Sequence, residues 1–439
     1  MKHIVILGNG IAGITAARHI RKLSDHKITV ISGESEHFFS RTALMYIYMG
    51  HMKYEHTKPY EDWFWRKNNI DLKMGWVEQV DFDRRELQFN NGEAINYDQL
   101  ILATGSNSNK FGWKGQDLKG VQGLYSLQDL ELMEQNTQNI ERAVIVGGGL
   151  IGVEMAEMLH SRNIPVTYLI RESHFWDIVL PDEEASMIDR HLREHHIDLR
   201  TNTELLEIID DGEGKVKAVK TNDNETIPCQ FVGLTVGVHP NINLFKYSTL
   251  EIDKGILVDE LLKTNLPDVY AIGDCAQLKS PSQYRKSIEA VWYVGRKMGE
   301  TVAKTICGTP TVYNPGVWFN SAKFFDIEYQ TYGSVPPYHS SSFYWEHADG
   351  KKAMRIVFNE NYEVEGVNFM GLRQRHEVWD RWIRDGKTLQ YVMEHLTDAH
   401  FDPELFRRHE QEIQSKYNGA FPDHQVTIRK KGFLEKILN

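Results

Sequence analysis

One glycine pattern, G-x-G-x-x-G, occurs twice in the chain, each time between a short apolar run and a helical pattern. The first glycine of such a turn permits the tight bend, the second lets a pyrophosphate approach the backbone, and the third packs helix against strand. The six glycines are Gly8, Gly10, Gly13, Gly147, Gly149 and Gly152. We therefore predict two strand–turn–helix units, each with nucleotide phosphates at the helix N-terminus.

The apolar runs around the two turns follow the same order, which indicates an internal repeat. Residues 3–7 and 27–32 are continuous apolar runs on either side of the first predicted helix. Residues 143–146 and 166–170 stand in the same places around a second predicted helix at 150–162. Continuous apolar runs of this length are typical of buried parallel strands, so we predict two parallel sheets.

Length, charge and cysteine content narrow the class of protein. A chain of 439 residues is too long for one core and predicts two or three domains. The net charge of −11 argues against nucleic-acid binding, and no apolar stretch approaches the roughly 20 residues that span a bilayer. The first strand begins almost at Met1, and the three cysteines are far apart in sequence. These features predict a reduced, cytoplasmic protein without a signal peptide.

Acidic and basic residues after each glycine turn bear on the choice of nucleotide. Glu34 follows Gly13 by about 20 residues, where an acidic residue holds a ribose hydroxyl. After the second turn, Arg171 and Glu172 are adjacent. A carboxylate there favours NAD and an arginine favours NADP, while a glycine at Gly152 slightly favours NAD. The choice between NADH and NADPH stays open at this point.

The last third of the chain has a different character. Residues 317–333 are aromatic and strand-like, two alternating runs follow at 354–359 and 364–371, and residues 372–417 have a helical pattern. The terminal segment 425–439 is basic and apolar, so it suits an acidic partner or a membrane surface, or docks on its own domain.

Two histidines have a spacing that metal ligands often use. His191 and His195 are four residues apart, but Arg193 and Glu194 between them favour a solvated helix. We therefore predict no metal site.

Two further motifs complete a family resemblance: Ala103-Thr104-Gly105 after the run at 97–102, and Ala271-Ile272-Gly273-Asp274 late in the repeat. With both glycine turns, residues 1–335 resemble the FAD-dependent pyridine nucleotide oxidoreductases. They look most like the branch of rubredoxin reductases, nitrite reductase flavin domains and oxygenase-type ferredoxin reductases. The resemblance implies an α/β protein with two Rossmann-like domains, one for FAD and one for NAD(P)H, and an α+β C-terminal domain.

The resemblance also implies domain boundaries. The NAD(P)H domain, 113–241, would be inserted into the FAD domain, 1–112 and 242–315. Residues 316–439 would form a C-terminal domain that caps the flavin or makes a homodimer interface, with a helical tail.

Site residues carry over from the family position by position. Arg41 would meet the FAD pyrophosphate, Asp274 would bind the ribityl chain, and Glu154 would face the nicotinamide and the flavin as the catalytic candidate. A helix beginning near Ser287-Ile288-Glu289 would point at the flavin, and Trp318 or Phe319 would lie near the ring or in the core. The implied FAD residues are Gly8, Gly10, Ile11, Ala12, Gly13, Glu34, Arg41, Val80, Ala103, Thr104, Gly105, Gly273, Asp274, Glu289 and Trp318. The implied NAD(P)H residues are Gly147, Gly149, Leu150, Ile151, Gly152, Glu154, Arg171, Glu172 and Gly237.

Departures from the family pattern bear on the reaction. Residues 38–50 contain none of the redox-active cysteines that disulfide reductases carry there, and Tyr46 stands where oxygenase-type reductases have a lysine. Without a thiol relay, flavin chemistry predicts electron transfer to a small carrier such as a ferredoxin or a rubredoxin. Two alternatives remain: an NADH:quinone reductase held at a membrane by the tail, and a non-enzymatic flavoprotein that senses NADH.

Overall fold

A computed structural model describes residues 1–282, 285–338, 341–401 and 407–429 of the chain. It consists of two compact units. The first unit comprises 1–169 and 203–315, and the second comprises 170–202 and 316–439. Most of the basic terminal segment, residues 430–439, lies outside the described residues.

The first unit contains a five-stranded parallel sheet built around the N-terminal apolar run. The order of its strands is Val269–Ala271, Gln99–Leu102, His3–Leu7, Lys27–Ser32 and Ile70–Met74. The central strand is buried along almost its whole length, as expected for a strand covered on both faces. Helices Ile11–Leu23 and Trp292–Ile306 pack against each other beside it. The parallel sheet predicted from the apolar runs is confirmed.

A second parallel sheet in the same unit repeats this arrangement. Its strands Val166–Leu169, Ala143–Val146, Phe231–Leu234 and Val121–Gln122 are hydrogen-bonded in that order. Helix Leu150–Ser161 follows the central strand, as helix Ile11–Leu23 does in the first sheet. The α/β class and the internal repeat are thereby confirmed.

Short elements complete the first unit. Three-stranded antiparallel sheets form from Val77–Asp81, Glu86–Phe89 and Ala94–Asn96, and from Leu205–Asp210, Val216–Thr221 and Thr226–Pro228. Two-stranded pairs form from Ser106–Ser108 with Val238–Pro240 and from Ile256–Val258 with Ala276–Leu278. The remaining α-helices of this unit are Leu44–Tyr48, Trp63–Lys67 and Leu127–Asn136.

The run 269–278 predicts one further strand by its apolar pattern, and that prediction is wrong in extent. The run 269–278 forms two strands, Val269–Ala271 and Ala276–Leu278, separated by the 3-10 turn Gly273–Cys275. Gly273 has a φ of +73°, which ends the first strand because an extended residue cannot adopt it.

The second unit is an antiparallel sheet covered by helices. Its strands, in spatial order, are Phe319–Phe324, Ile327–Gly333, Val364–Met370, Ala353–Phe358 and Ser342–Glu346. Its helices are Asp182–Glu194, His376–Arg384, Leu389–Glu394 and Glu410–Ala420, and a short strand covers Asp198–Arg200. The core centres on Trp379 and Trp382, which the amphipathic pattern of their helix turns toward the sheet.

Among the described residues, no helix is long and apolar enough to cross a membrane.

Candidate functional site

The candidate site in the first unit lies where three parallel strands end side by side. The strands His3–Leu7, Gln99–Leu102 and Val269–Ala271 are neighbours, and ligands bind beyond the carboxyl ends of such strands. The amide of Ala103 donates to the carbonyl of Leu7 at 2.8 Å, which fixes the Ala103–Gly105 turn beside the first glycine turn. The structure therefore brings together three of the predicted motifs, which are far apart in sequence.

The first glycine turn is packed tightly at its two ends and open in its middle. Gly8 has a φ of +118°, and a Cβ there would lie 2.1 Å from the carbonyl oxygen of Ala103. A Cβ on Gly13 would lie 2.0 Å from the carbonyl oxygen of Gly8. A Cβ on Gly10 would meet no atom within 4 Å. Gly10 therefore lines open space at the N-terminus of helix Ile11–Leu23.

The second glycine turn has the same three-part geometry. Gly147 has a φ of +111°, and its Cβ would lie 2.7 Å from the carbonyl oxygen of Thr235. A Cβ on Gly152 would lie 2.6 Å from the carbonyl oxygen of Gly147, whereas one on Gly149 would meet nothing within 4 Å. Both turns thus leave room at the middle glycine, where a dinucleotide pyrophosphate approaches the backbone. This arrangement fits FAD in one turn and NAD(P)H in the other.

Glu34 and Arg41, both predicted to contact FAD, bind each other. Arg41 donates from its two terminal nitrogens to the two carboxylate oxygens of Glu34, at 2.8 and 2.6 Å. The amide of Leu127 also donates to Glu34, and Arg41 donates to the carbonyl of Tyr125. Burial lowers the pKa of Arg41, but the hydrogen bond to Glu34 and the nearby negative charges together raise it above its ordinary value, so the guanidinium stays charged.

Tyr125 connects several of the predicted residues, and sequence reasoning missed it. Its hydroxyl donates to Oδ2 of Asp274 at 3.2 Å and accepts from the amide of Ser106 at 3.0 Å. The Ser106 hydroxyl lies 3.3 Å from the same carboxylate oxygen. Burial raises the pKa of Asp274, while these two hydrogen bonds lower it. Tyr125 directly precedes Ser126, whose capping box with Asp129 begins helix Leu127–Asn136, and that capping box was the available sequence signal.

The predicted helix near Ser287 begins later than expected. Its first residue is Trp292, and the residues before it are not helical: the carbonyl of Ser287 accepts from the amide of Leu278, and Val291 is extended. Glu289 therefore precedes the helix, and its carboxylate receives two hydrogen bonds from Arg285, at 2.7 and 2.5 Å. The prediction of a helix N-terminus at Glu289 is wrong.

Polar groups also surround the second glycine turn. The hydroxyl of Tyr168 donates to the carbonyl of Gly147 at 2.9 Å, and that of Thr235 donates to the carbonyl of Val146 at 2.9 Å. Gly237 follows the neighbouring strand with a φ of +88°. Glu154 lies in the second turn of helix Leu150–Ser161. The two hydroxyl groups thus bond to carbonyls at the strand end and the turn and leave the space at its middle glycine open.

Five other predicted residues are distributed over the two units. In the second unit, Arg171 donates to Glu172 at 2.5 Å. Val80 is buried in strand Val77–Asp81. The carbonyl of Trp318 accepts from Gly333. Phe319, the other candidate for the ring, packs on the apolar core of the second unit.

The three cysteines are free thiols. Cys229 and Cys275 are fully buried, and burial raises the pKa of both, to about 12 for Cys229. Sγ of Cys275 contacts the carbonyl of Leu102 at 3.5 Å, as a small buried residue does.

The prediction of a solvated helix face at 191–195 is wrong for His191. That side chain is buried in the second unit, with 2% of its surface exposed.

Comparison with known proteins places this geometry in a family. The chain is 26% identical over 313 residues to the assimilatory nitrate reductase electron transfer subunit of Bacillus subtilis, 70% of this chain and 39% of that protein. The chain therefore spans about two fifths of that relative. It is 32% identical over 291 residues to a rubredoxin-NAD(+) reductase of Acinetobacter baylyi, covering 63% of this chain and 73% of that protein.

A solved structure shares the fold. The ferredoxin reductase for the CYP199A2 system from Rhodopseudomonas palustris superposes with a TM-score of 0.78 at 23% identity, over 84% of this chain and 91% of the other. The family model for pyridine nucleotide-disulphide oxidoreductases matches residues 2–299, which include both glycine turns. The chain belongs to the pyridine nucleotide-disulphide oxidoreductases and is an FAD-dependent NAD(P)H oxidoreductase.

Proposed function

We propose that this enzyme takes electrons from NAD(P)H and delivers them to a small iron-containing carrier, a ferredoxin or a rubredoxin. The observation that carries the proposal is the pair of glycine turns with matching open centres in a chain that has no cysteine at 38–50. FAD supplies the chemistry, because it accepts a hydride at N5 and can release electrons one at a time. The rubredoxin reductase among the relatives supports this class of acceptor.

The FAD would lie at the ends of the first sheet. Gly10 would admit the pyrophosphate, and Asp274 would bind the ribityl chain. Arg41 holds Glu34 in a bidentate ion pair, so we propose that Arg41 reaches the pyrophosphate while Glu34 binds the adenosine ribose. Tyr125 would keep the Asp274 carboxylate in place.

NAD(P)H would lie on the second glycine turn. Gly149 would admit its pyrophosphate at the N-terminus of helix Leu150–Ser161, and Glu154 would face the nicotinamide from that helix. Arg171 and Glu172 would decide between NADPH and NADH. The domains would then be 1–112 with 242–315 for FAD, 113–241 for NAD(P)H, and 316–439 at the C-terminus. We also propose a cytoplasmic location, since all three cysteines are unpaired.

Anaerobic stopped-flow titration of the purified flavoprotein with NADH and with NADPH tests the first half of the proposal. We expect the flavin absorbance to bleach with one of the two nucleotides. In Gly149→Ala the bound flavin should be retained, while the nucleotide concentration for half-maximal bleaching rises at least about tenfold. A bleaching rate and concentration unchanged in this variant would contradict the assignment of the second turn.

Reoxidation of the reduced enzyme tests the second half. We expect added ferredoxin or rubredoxin to restore the oxidised flavin spectrum faster than equimolar ubiquinone analogue or dissolved oxygen does. If only the quinone reoxidises the flavin quickly, the electron acceptor is a quinone and the proposed iron-containing carrier is wrong. If neither nucleotide reduces the flavin, NAD(P)H is not the electron donor, and an NADH-sensing role is favoured instead.

A further inference from the structure

Three potential metal ligands converge in the second unit, away from both glycine turns in sequence. His191 lies in the last turn of helix Asp182–Glu194, and His195 caps that helix. Asp326 lies in the two-residue turn between strands Phe319–Phe324 and Ile327–Gly333. One candidate ligand atom from each side chain lies within 4.8 Å of the other two.

The distances suit a single small cation. Oδ1 of Asp326 lies 2.5 Å from Nε2 of His191 and 3.7 Å from Nε2 of His195. Nitrogen and oxygen ligands of a tetrahedral zinc ion, at 2.0–2.2 Å from the metal, lie about 3.3–3.6 Å from one another. Side-chain movements of about 1 Å would therefore bring all three atoms to zinc-binding separations.

The buried histidine lies beside a carboxylate but makes no hydrogen bond of good geometry with it. His191 is 2% exposed, and neither of its ring nitrogens makes a hydrogen bond of acceptable geometry. Buried polar atoms usually make well-aligned hydrogen bonds, so a metal ion between Nε2 and the Asp326 carboxylate would satisfy both groups.

The other two side chains already hold their ligand atoms in position. The ring nitrogen Nδ1 of His195 lies 2.9 Å from the carbonyl oxygen of His191. Since a carbonyl only accepts, Nδ1 carries the proton and the lone pair of the neutral ring is on Nε2. Lys351 donates to Oδ2 of Asp326 at 3.3 Å, which leaves Oδ1 directed toward the histidines.

We propose that His191, His195 and Asp326 bind one zinc ion, which fastens the end of helix Asp182–Glu194 to the hairpin of the C-terminal sheet. Two imidazoles and one carboxylate form a ligand set that zinc commonly uses with a water as the fourth ligand. Asp326 is largely exposed, so the ion and that water can enter from solvent. The carboxylate of Glu194, 3.7 Å from Nδ1 of His191, lies where an outer-sphere partner of a zinc-bound histidine is often found.

A second cluster of potential metal ligands lies in the same unit and can be compared with the first. His347, His409 and Glu412 also bring one ligand atom each within 4.8 Å of the others. There Nδ1 of His347 lies 3.0 Å from Asp349, and both separations from the Glu412 carboxylate are 3.7 Å. The first cluster has two histidines four residues apart at the end of one helix, so we assign the zinc ion to it.

Zinc binding to the chelator-treated, dialysed flavoprotein tests the proposal by isothermal titration calorimetry and by metal analysis after gel filtration. We expect one zinc ion per chain and a rise in the thermal unfolding midpoint on zinc addition. Asp326→Asn and His195→Gln should each weaken zinc binding at least about tenfold. His196→Asn is the matched control, because His196 is exposed and next in sequence, and it should leave the zinc affinity unchanged.

The thermal midpoints of the zinc-free variants separate loss of a ligand from loss of folding. Asp326→Asn with an unchanged zinc-free midpoint and weakened zinc binding would support the site. Zinc binding that survives both Asp326→Asn and His195→Gln would overturn it. So would zinc binding that disappears in His409→Gln instead, or a flavoprotein that binds ferrous iron but no zinc.

Discussion

At the scale of single residues, the three glycines of each turn have different surroundings and therefore different structural roles. Gly13 contacts backbone, whereas Gly10 faces open space, although both belong to one motif. The added methyl group of an alanine should therefore have opposite consequences at the two positions. At Gly13 it collides with protein, and at Gly10 it meets only what the turn binds.

Gly13→Ala should destabilise the protein by about 2–3 kcal/mol. The new Cβ would lie 2.0 Å from the backbone carbonyl oxygen of Gly8, which can move only if the turn is distorted. Gly10→Ala should change the free energy of unfolding of the flavin-free protein by less than about 1 kcal/mol. It should still weaken FAD binding at least about tenfold. Urea denaturation and the ratio of flavin to protein absorbance measure the two effects. Full FAD affinity in Gly10→Ala would contradict the assignment of the first turn.

Tyr125→Phe tests the network around Asp274. The variant removes one hydrogen bond from a buried carboxyl group and should lower the free energy of unfolding by about 1–2 kcal/mol at neutral pH. Burial already raises the pKa of Asp274, and losing this hydrogen bond should raise that pKa further. Urea denaturation with excess FAD measures the difference between the variant and the parent.

The direction in which stability changes with pH follows from the numbers of protons that the folded and unfolded states bind. A carboxyl group whose pKa is higher in the folded state binds more protons there, so stability falls as pH rises through that pKa. The deficit of Tyr125→Phe should therefore be smaller below the pKa of Asp274, where the carboxyl group is protonated, than above it, where the carboxylate is ionised. A loss of stability that is equal at low and high pH would show that the Tyr125 hydroxyl does not affect the pKa of Asp274.

At the scale of secondary structure elements, a buried ion pair connects a helix to the sheet of the second unit. Arg355 on strand Ala353–Phe358 donates to Glu184 on helix Asp182–Glu194 at 2.8 Å, and also to Glu183 at 2.6 Å. The side chains of Arg355 and Glu184 are 3% and 1% exposed. Their separation of 171 residues in sequence means that the pair exists only through the fold.

Arg355→Ala should destabilise the second unit by about 3–5 kcal/mol, because the Glu184 carboxylate would stay buried without its partner. Arg190→Ala is the matched control. Arg190 pairs with Glu346 between the same helix and sheet but is 50% exposed, so its loss should cost at most about 1 kcal/mol. Urea denaturation followed by the fluorescence of the buried tryptophans compares them. An equal loss of unfolding free energy in the two variants would mean that the buried pair contributes no more to stability than the exposed pair.

The same element scale shows what the sequence could predict. Strands 3–7, 27–32 and 143–146 were predicted at their observed bounds, since apolar runs next to glycine turns leave few alternatives. The helix expected near Ser287 begins only at Trp292, because the carbonyl of Ser287 accepts a hydrogen bond from Leu278 in the preceding strand. Tyr125 was missed for the same reason, as its role depends on contacts with residues far away in sequence.

At the scale of the whole molecule, the distribution of thiols distinguishes this chain from the disulfide-reducing members of its family. Buried Cys275 sits in the Gly273–Cys275 turn, and Cys229 is buried in the second half of the repeat, with a pKa raised to about 12. Cys307 at the end of helix Trp292–Ile306 is partly exposed. Electrons that leave the flavin therefore have no pair of thiols to pass through.

A thiol count on the native flavoprotein follows from this distribution. A colorimetric disulfide reagent at about pH 8 should detect one reactive thiol, Cys307, because thiolates are the reacting form and burial suppresses the other two. Denatured protein should show all three cysteines. A disulfide reductase would expose two new thiols after reduction by its nucleotide, whereas this protein should still show one. Cys307→Ser should show none and keep its rate of carrier reduction; new thiols after reduction would place a disulfide in the electron path.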